Sequence, residues 1–205
     1  MTNYVRQRLS NQICKALTDA RGFVPVIALS PASAISRARS GPSGASVALS
    51  AAALDRAGAV LHAARHAALL SYAGYGAHRG VLSAEANEVR ISPGQAAVAA
   101  WLADGLAGTE DAPRRIQEAL SFRVVAPVLG AAEDACARAV AIWEDEANGA
   151  SDSPVVTDDG RMLTTANFHA PALALALDHV AQAAAMVAQG AVQRMQRMMD
   201  PALSG

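Results

Sequence analysis

The stretch Ala45–Tyr72 is alanine-rich, free of proline and followed by glycines at positions 74 and 76. Alanine has the best helix propensity, and its small side chain lets neighbouring helices approach closely. A helix of this length draws most of its stability from packing against partners. The stretch therefore commits the chain to long, closely packed helices. Asp55, His62 and His66 fall on nearly the same face of it.

The rest of the chain reads in the same way. Val5, Leu9, Ile13 and Leu17 form one apolar stripe, which predicts a helix over Tyr4–Asp19, with Asn3 before it and Gly22 after it. Arg21–Gly41 has no helical period and is punctuated by Pro25 and Pro31. Another helix begins at Ser92-Pro93, with serine as cap and proline in the first turn, carries Ala97–Leu106 and stops near Gly108. A further one starts after Asp111 and Pro113 and runs to about Ala147, with Pro127 as a kink. Asp159-Gly160, between Pro154-Val155-Val156 and Met162-Leu163, predicts a small β-hairpin. The last helix covers His169–Met199, with Arg194 and Arg197 in its final turns complementing the dipole. The fold class is all-α, a long-helix bundle with one small hairpin insertion, in a single domain over residues 1–205.

Composition narrows the function classes. The 205 residues are 52% hydrophobic and 17% charged, with a formal net charge of -1 and no basic block, so nucleic acid is not an expected partner. Ala45–Leu70 is the nearest approach to a membrane span, but Asp55, Arg56, His62, Arg65 and His66 interrupt it, and no membrane partner is expected. The N-terminus has no apolar core of a signal peptide, and Cys14 and Cys136 make no disulfide framework, which points to the cytoplasm. His62 and His66 have the i, i+4 spacing of a metal pair, yet no third ligand declares itself, so a solvated helix face is the simpler reading and no metal is expected. Met195, Met198 and Met199 read as a packing patch. Ala-rich helices with few charges would expose apolar surface in isolation, which predicts a homo-oligomer or a heteromer.

Four segments carry a resemblance. Ile116–Ala131, "IQEALSFRVVAPVLGA", is similar to a Q-D-x-Y-S-x-R…G segment, with Gln117, Ser121, Arg123 and Gly130 matching. "EANGASDSPVV…TTANFHA" is similar to E-x-N-x-x-x-D-N-P followed by G-N-F-H, with Glu146, Asn148, Asp152, Pro154, Asn167, Phe168 and His169 matching. "DPALSG" at Asp200–Gly205 and "SPGQAAVAAWL" at Ser92–Leu102 fit as well. In this order they resemble the aromatic amino acid ammonia-lyases, most closely histidine ammonia-lyase. The resemblance implies that family's helical fold, tetrameric assembly and active sites shared between subunits.

In that family an Ala-Ser-Gly triad cyclises into a methylidene-imidazolone electrophile. The resemblance places Ile35-Ser36-Arg37 on the triad, after the "GFVPVI" that begins at Gly22. Glycine permits the close backbone approach that ring closure needs, whereas Arg37 adds a long side chain and Ile35 is β-branched and stiff. The group is therefore expected not to form, and no cofactor is expected. Other departures agree. Leu120 replaces the family tyrosine, Glu118 the aspartate and Ser153 the second asparagine, while "GPS" at Gly41–Ser43 stands for an Asn-Gly-Thr segment. The family's N-terminal part and its later C-terminal helices are expected to be missing.

Gln117, Arg123 and Asn148 are the catalytic candidates, with Arg123, Phe168 and Asn167 as substrate-binding residues. Arginine at this place binds the substrate carboxylate in the family, in a bidentate geometry. The plainer alternatives are that Arg123 pairs with a carboxylate inside the bundle, that Asn148 caps a helix end or pins the hairpin, and that Phe168 and His169 are packed. Ser36 has no base beside it in sequence and is a poor nucleophile candidate.

Two functions follow. One is a cofactor-free lyase, isomerase or cyclase acting on a small carboxylate or polyunsaturated substrate. The alternative to it is a non-catalytic scaffold or partner subunit of a larger lyase-like complex. Classical ammonia-lyase activity is not expected from this chain alone.

Overall fold

The computed structural model describes residues 43–108 and 117–204. The helix read at Tyr4–Asp19 and the segment 21–41, including Ile35-Ser36-Arg37, lie outside the described residues. The architecture is all-α with one small hairpin. In order it comprises α1 (Ser43–Tyr75), a 3-10 turn (Gly80–Leu82), α2 (Ala84–Glu88), α3 (Pro93–Gly105), α4 (Leu120–Arg123), α5 (Val125–Asn148), β1 (Val155–Val156), β2 (Met162–Leu163), α6 (Pro171–Met199) and α7 (Pro201–Ser204).

The long helices bury heptad rows. Leu54, Leu61, Ala68 and Tyr75 on α1 are buried, as are Leu129, Cys136 and Trp143 on α5. On α6 the buried row is Leu173, Val180, Val187 and Arg194. A seven-residue spacing keeps one narrow seam of a helix turned toward its neighbours along its whole length. Helix α1 passes through Gly74 and stops only at Gly76, whose φ of 64° lets Ala77 N–H donate to the Tyr72 carbonyl at 3.1 Å. This is the 6→1 bond of a Schellman ending.

Two compact units emerge, one of residues 43–59 and 136–180, the other of residues 60–108, 117–135 and 181–204. In the first, Ala51, Leu54, Ala139, Val140, Trp143 and Leu173 are buried. The Trp143 indole N–H donates to the Val47 carbonyl at 2.8 Å and ties α5 to α1. The hairpin pairs Val155 with Leu163 and Val156 with Met162. Its turn closes through Gly160 N–H to the Thr157 carbonyl at 2.9 Å, with Gly160 at φ 82°. That is the three-residue loop in which glycine takes the left-handed position.

In the second unit Phe122, fully buried, lies edge-on to Tyr72 at 5.6 Å and stacks on Tyr75 at 4.5 Å. Helices α3 and α5 meet backbone to backbone. A Cβ on Gly94 would come within 2.5 Å of the Gly130 carbonyl oxygen, and one on Gly130 would collide with the backbone of Gly94 and Gln95, so packing alone requires glycine at both positions.

Several sequence expectations need correction. Ser92 precedes α3, but its hydroxyl makes no capping bond; its carbonyl accepts from Ala96 N–H at 3.1 Å instead. The long helix expected from Pro113 to Ala147 is interrupted: Ala119 is extended, α4 is one turn, and α5 starts at Val125. Pro127 lies in the first turn of α5, where its missing N–H costs nothing. The 3-10 turn and α2 were not foreseen. Asn87 secures them, donating to the carbonyls of Val81 and Ser83 at 3.0 and 2.8 Å and accepting from Gln95 at 2.9 Å. Two helices, over Ser46–Tyr75 and Pro171–Met199, are long and apolar enough to cross a membrane by length and composition, a criterion that core helices also meet.

Candidate functional site

The segment 117–123 is an extended approach followed by one helical turn, and buried polar contacts fix it. Tyr72 donates its hydroxyl to the Phe122 carbonyl at 2.6 Å. Arg194, 5% exposed, donates to the Ser121 carbonyl at 3.3 Å. Glu118 is buried and accepts from His78 N–H at 3.2 Å. Burial pushes the Tyr72 phenol well above its ordinary value; Arg194 opposes the shift and Glu118 adds to it. Tyr72 therefore stays protonated and remains a donor. Burial lowers the Arg194 guanidinium from its ordinary value, with Tyr72 opposing.

On this frame Arg123 is exposed, and its guanidinium donates to Gln117 Oε1 at 3.4 Å. The structure brings these two candidates together. It shows no carboxylate paired with Arg123 among the described residues, so the expectation of an internal ion pair is not met. Leu120 is 65% exposed.

The remaining candidates lie in the other unit. Asn148 is exposed and donates to the Glu144 carbonyl at 2.7 Å, closing the last turn of α5, which is the capping alternative. Asn167 is exposed, and its N–H donates to Thr165 Oγ1 at 3.4 Å. Thr165 in turn bonds back to the Asp152 carbonyl at 2.7 Å and to Ser153 Oγ at 3.2 Å. Phe168 is 50% exposed and His169 is exposed, so neither is the core residue that the packed alternative expected. Beyond the site, Thr157 and Arg161 both bond Asp159, and those hydrogen bonds hold its carboxyl below the ordinary range.

A second polar cluster surrounds Trp101. Arg65 lies over its ring at 4.5 Å and pairs with Glu133 at 3.3 Å. Burial raises the Glu133 carboxyl to about 7, outweighing the opposing pull of Arg65, while Asp134 adds to the rise. His66 meets the Trp101 edge at 5.1 Å, and its Nδ1 lies 3.0 Å from the His62 carbonyl. The His62 and His66 rings are 4.5 Å apart, but no group of three or more metal-ligating side chains occurs among the described residues.

The methylidene-imidazolone group of the family forms from an Ala-Ser-Gly triad. The sequence contains no Ala-Ser-Gly triplet. No chemical step is derived through that group.

Tyr72, Glu118 and Arg194 were not singled out from the sequence as supports of this site. Arg194 was read as a dipole partner, whereas it is buried. Its seven-residue spacing from Val187, Val180 and Leu173 is the signal that could have revealed this.

The family model for aromatic amino acid lyases matches residues 41–205, which leaves Ile35-Ser36-Arg37 outside the match. A histidine ammonia-lyase of Streptomyces avermitilis is 41% identical over 127 residues, covering 58% of this chain and 25% of the relative. One from Anaeromyxobacter sp. is 36% identical over 162 residues, covering 72% of this chain and 32% of the relative. The chain thus spans about a quarter to a third of the curated relatives it matches. Among solved structures, histidine ammonia-lyase from Trypanosoma cruzi superposes with a TM-score of 0.68 at 29% identity, over 77% of this chain and 30% of that one. A phenylalanine aminomutase of Pantoea agglomerans, at 20% identity, shares the fold with a TM-score of 0.73 over 80% of this chain and 36% of that one.

Proposed function

This chain belongs to the aromatic amino acid lyase family, and on that premise we propose that it is a partner subunit supplying the carboxylate-binding edge of a lyase-type site that other chains complete. The observation that carries this reading is the exposed Arg123, ordered by Gln117 on a rigidly backed turn. A guanidinium so placed can take a carboxylate in bidentate fashion. Asn148, Asn167 and Phe168, in the other unit, are exposed as well. The ligand class is a small carboxylate such as histidine, which the relatives' name supplies. In this reading Ile35-Ser36-Arg37 forms no electrophile and Leu120 supplies no phenol, so ammonia elimination does not occur on this chain alone. Oligomerisation fits the exposed apolar residues Leu49, Leu70, Leu175 and Met186. A cytoplasmic setting without nucleic acid or membrane partners fits the charge and the cysteine usage.

The test incubates the full chain with L-histidine. The expected result is saturable binding that Arg123→Met abolishes, no ammonia release, and an intact mass equal to the unmodified sequence. Ammonia release, or the loss of two waters at residues 35–37, overturns the reading. A monomeric mass by light scattering contradicts the assembly.

A further inference from the structure

A groove of about 440 Å³ opens between α4 and the C-terminal end of α6. Leu120 and Ser121 line one side; Gln193, Gln196, Arg197 and Asp200 line the other. Gln193, Gln196 and Arg197 follow i, i+3, i+4 spacing, so they share one face of α6. None of these three side chains bonds another described residue.

Arg194 adds a second observation. It is 5% exposed, and its hydrogen bond goes to the carbonyl of Ser121, a groove residue. No carboxylate pairs with it among the described residues. A buried cation without a counter-charge is costly, and an anion held nearby reduces that cost. The Ser121 hydroxyl is also buried without a hydrogen-bond partner.

Asp200 sets the charge the groove can accept. Its carboxylate accepts from Ala202 N–H at 2.9 Å and caps α7. A carboxylate at the same rim repels a dianion more strongly than a monoanion.

We propose that this groove binds a small monocarboxylate, held by Arg197, with Gln193 and Gln196 donating their amides and the buried Arg194 charge favouring the anion. This site uses a different arginine from the one invoked for the lyase-type site, and the two stand or fall separately.

The test is calorimetric titration of the full chain with sodium propionate and, separately, inorganic phosphate at fixed ionic strength. Propionate binds saturably and more tightly than phosphate. Arg197→Gln, an exposed change outside the core, weakens propionate by about ten-fold or more. Asp200→Asn, which retains a capping side chain, raises the affinity for phosphate. The titration is repeated on Arg123→Met, which removes the carboxylate site proposed at that residue, and the propionate binding that Arg197→Gln weakens persists there. Absence of saturable binding, equal binding by Arg197→Gln, or tighter binding of phosphate than of propionate overturns the proposal.

Discussion

Phe122 and Phe168 stand in the two motif segments of this chain and are held in opposite ways. Phe122 is fully buried between Tyr72 and Tyr75, and its carbonyl takes a hydrogen bond from a residue 50 positions away. Phe168 is half exposed, and the bonds around it stay within the hairpin segment, from Asn167 to Thr165 and from Thr165 to Asp152 and Ser153. The difference shows two ways of presenting a polar side chain. Residues 117–123 are fixed from behind by the core, so Arg123 is exposed on rigid support. The hairpin segment is fixed by its own turn chemistry and owes little to the core.

Phe122→Ala tests this most severely. It removes the centre of the aromatic stack and should destabilise the chain by about 3–5 kcal/mol in denaturant unfolding. A loss comparable to that of an exposed substitution would dissolve the contrast. Glu133 shows how burial couples the same unit to pH. Its folded value of about 7 exceeds the ordinary 4.5, so the folded state holds the proton more tightly. The stabilisation is complete below about 4.5 and is lost as pH rises through about 7, on the order of 3 kcal/mol at most. Glu133→Gln should flatten that slope in unfolding curves taken from pH 4.5 to 8; an unchanged slope assigns it elsewhere.

Tyr72→Phe leaves the buried Phe122 carbonyl without its donor and should cost about 1–3 kcal/mol. It should also weaken carboxylate binding at Arg123, whereas a change in stability without a change in binding would separate the support from the site. Gly160→Ala forces a Cβ into the left-handed region and should cost about 1–2 kcal/mol. Hydrogen exchange should show the effect confined to residues near 155–163; a wider loosening would show that the hairpin is not local. Asp159→Asn has the smallest expected effect. The depressed pKa of Asp159 gives stability that is present above its ordinary value and fades as pH falls through the folded value. The group is exposed, so only the acid-side unfolding of the hairpin, followed by NMR, should shift.

Much of the fold was legible. The Ala-rich stretch became α1 within a few residues of its expected bounds, and Asp159-Gly160 made the hairpin. Both depend on local preferences that a sequence states directly. The insertion at 80–88 was missed because Asn87 secures it through bonds reaching as far as Gln95, and a single asparagine announces no such network. The break before Val125 escaped because Glu118 is engaged at His78, 40 residues away, and not along a helix of its own.

The site divides in the same manner. The motif residues identified the family and singled out Gln117 and Arg123 as candidates, while the hydrogen bond between them came from the folded turn. The sequence by itself determined that the chain would be helical, where its hairpin would turn and to which family it belongs. Only the tertiary structure decided which polar groups are buried. Arg194 shows it only through its seven-residue spacing from Val187, and Tyr72 gives no local sign of it, because the partners of both are distant backbone carbonyls that require a donor once water has been removed.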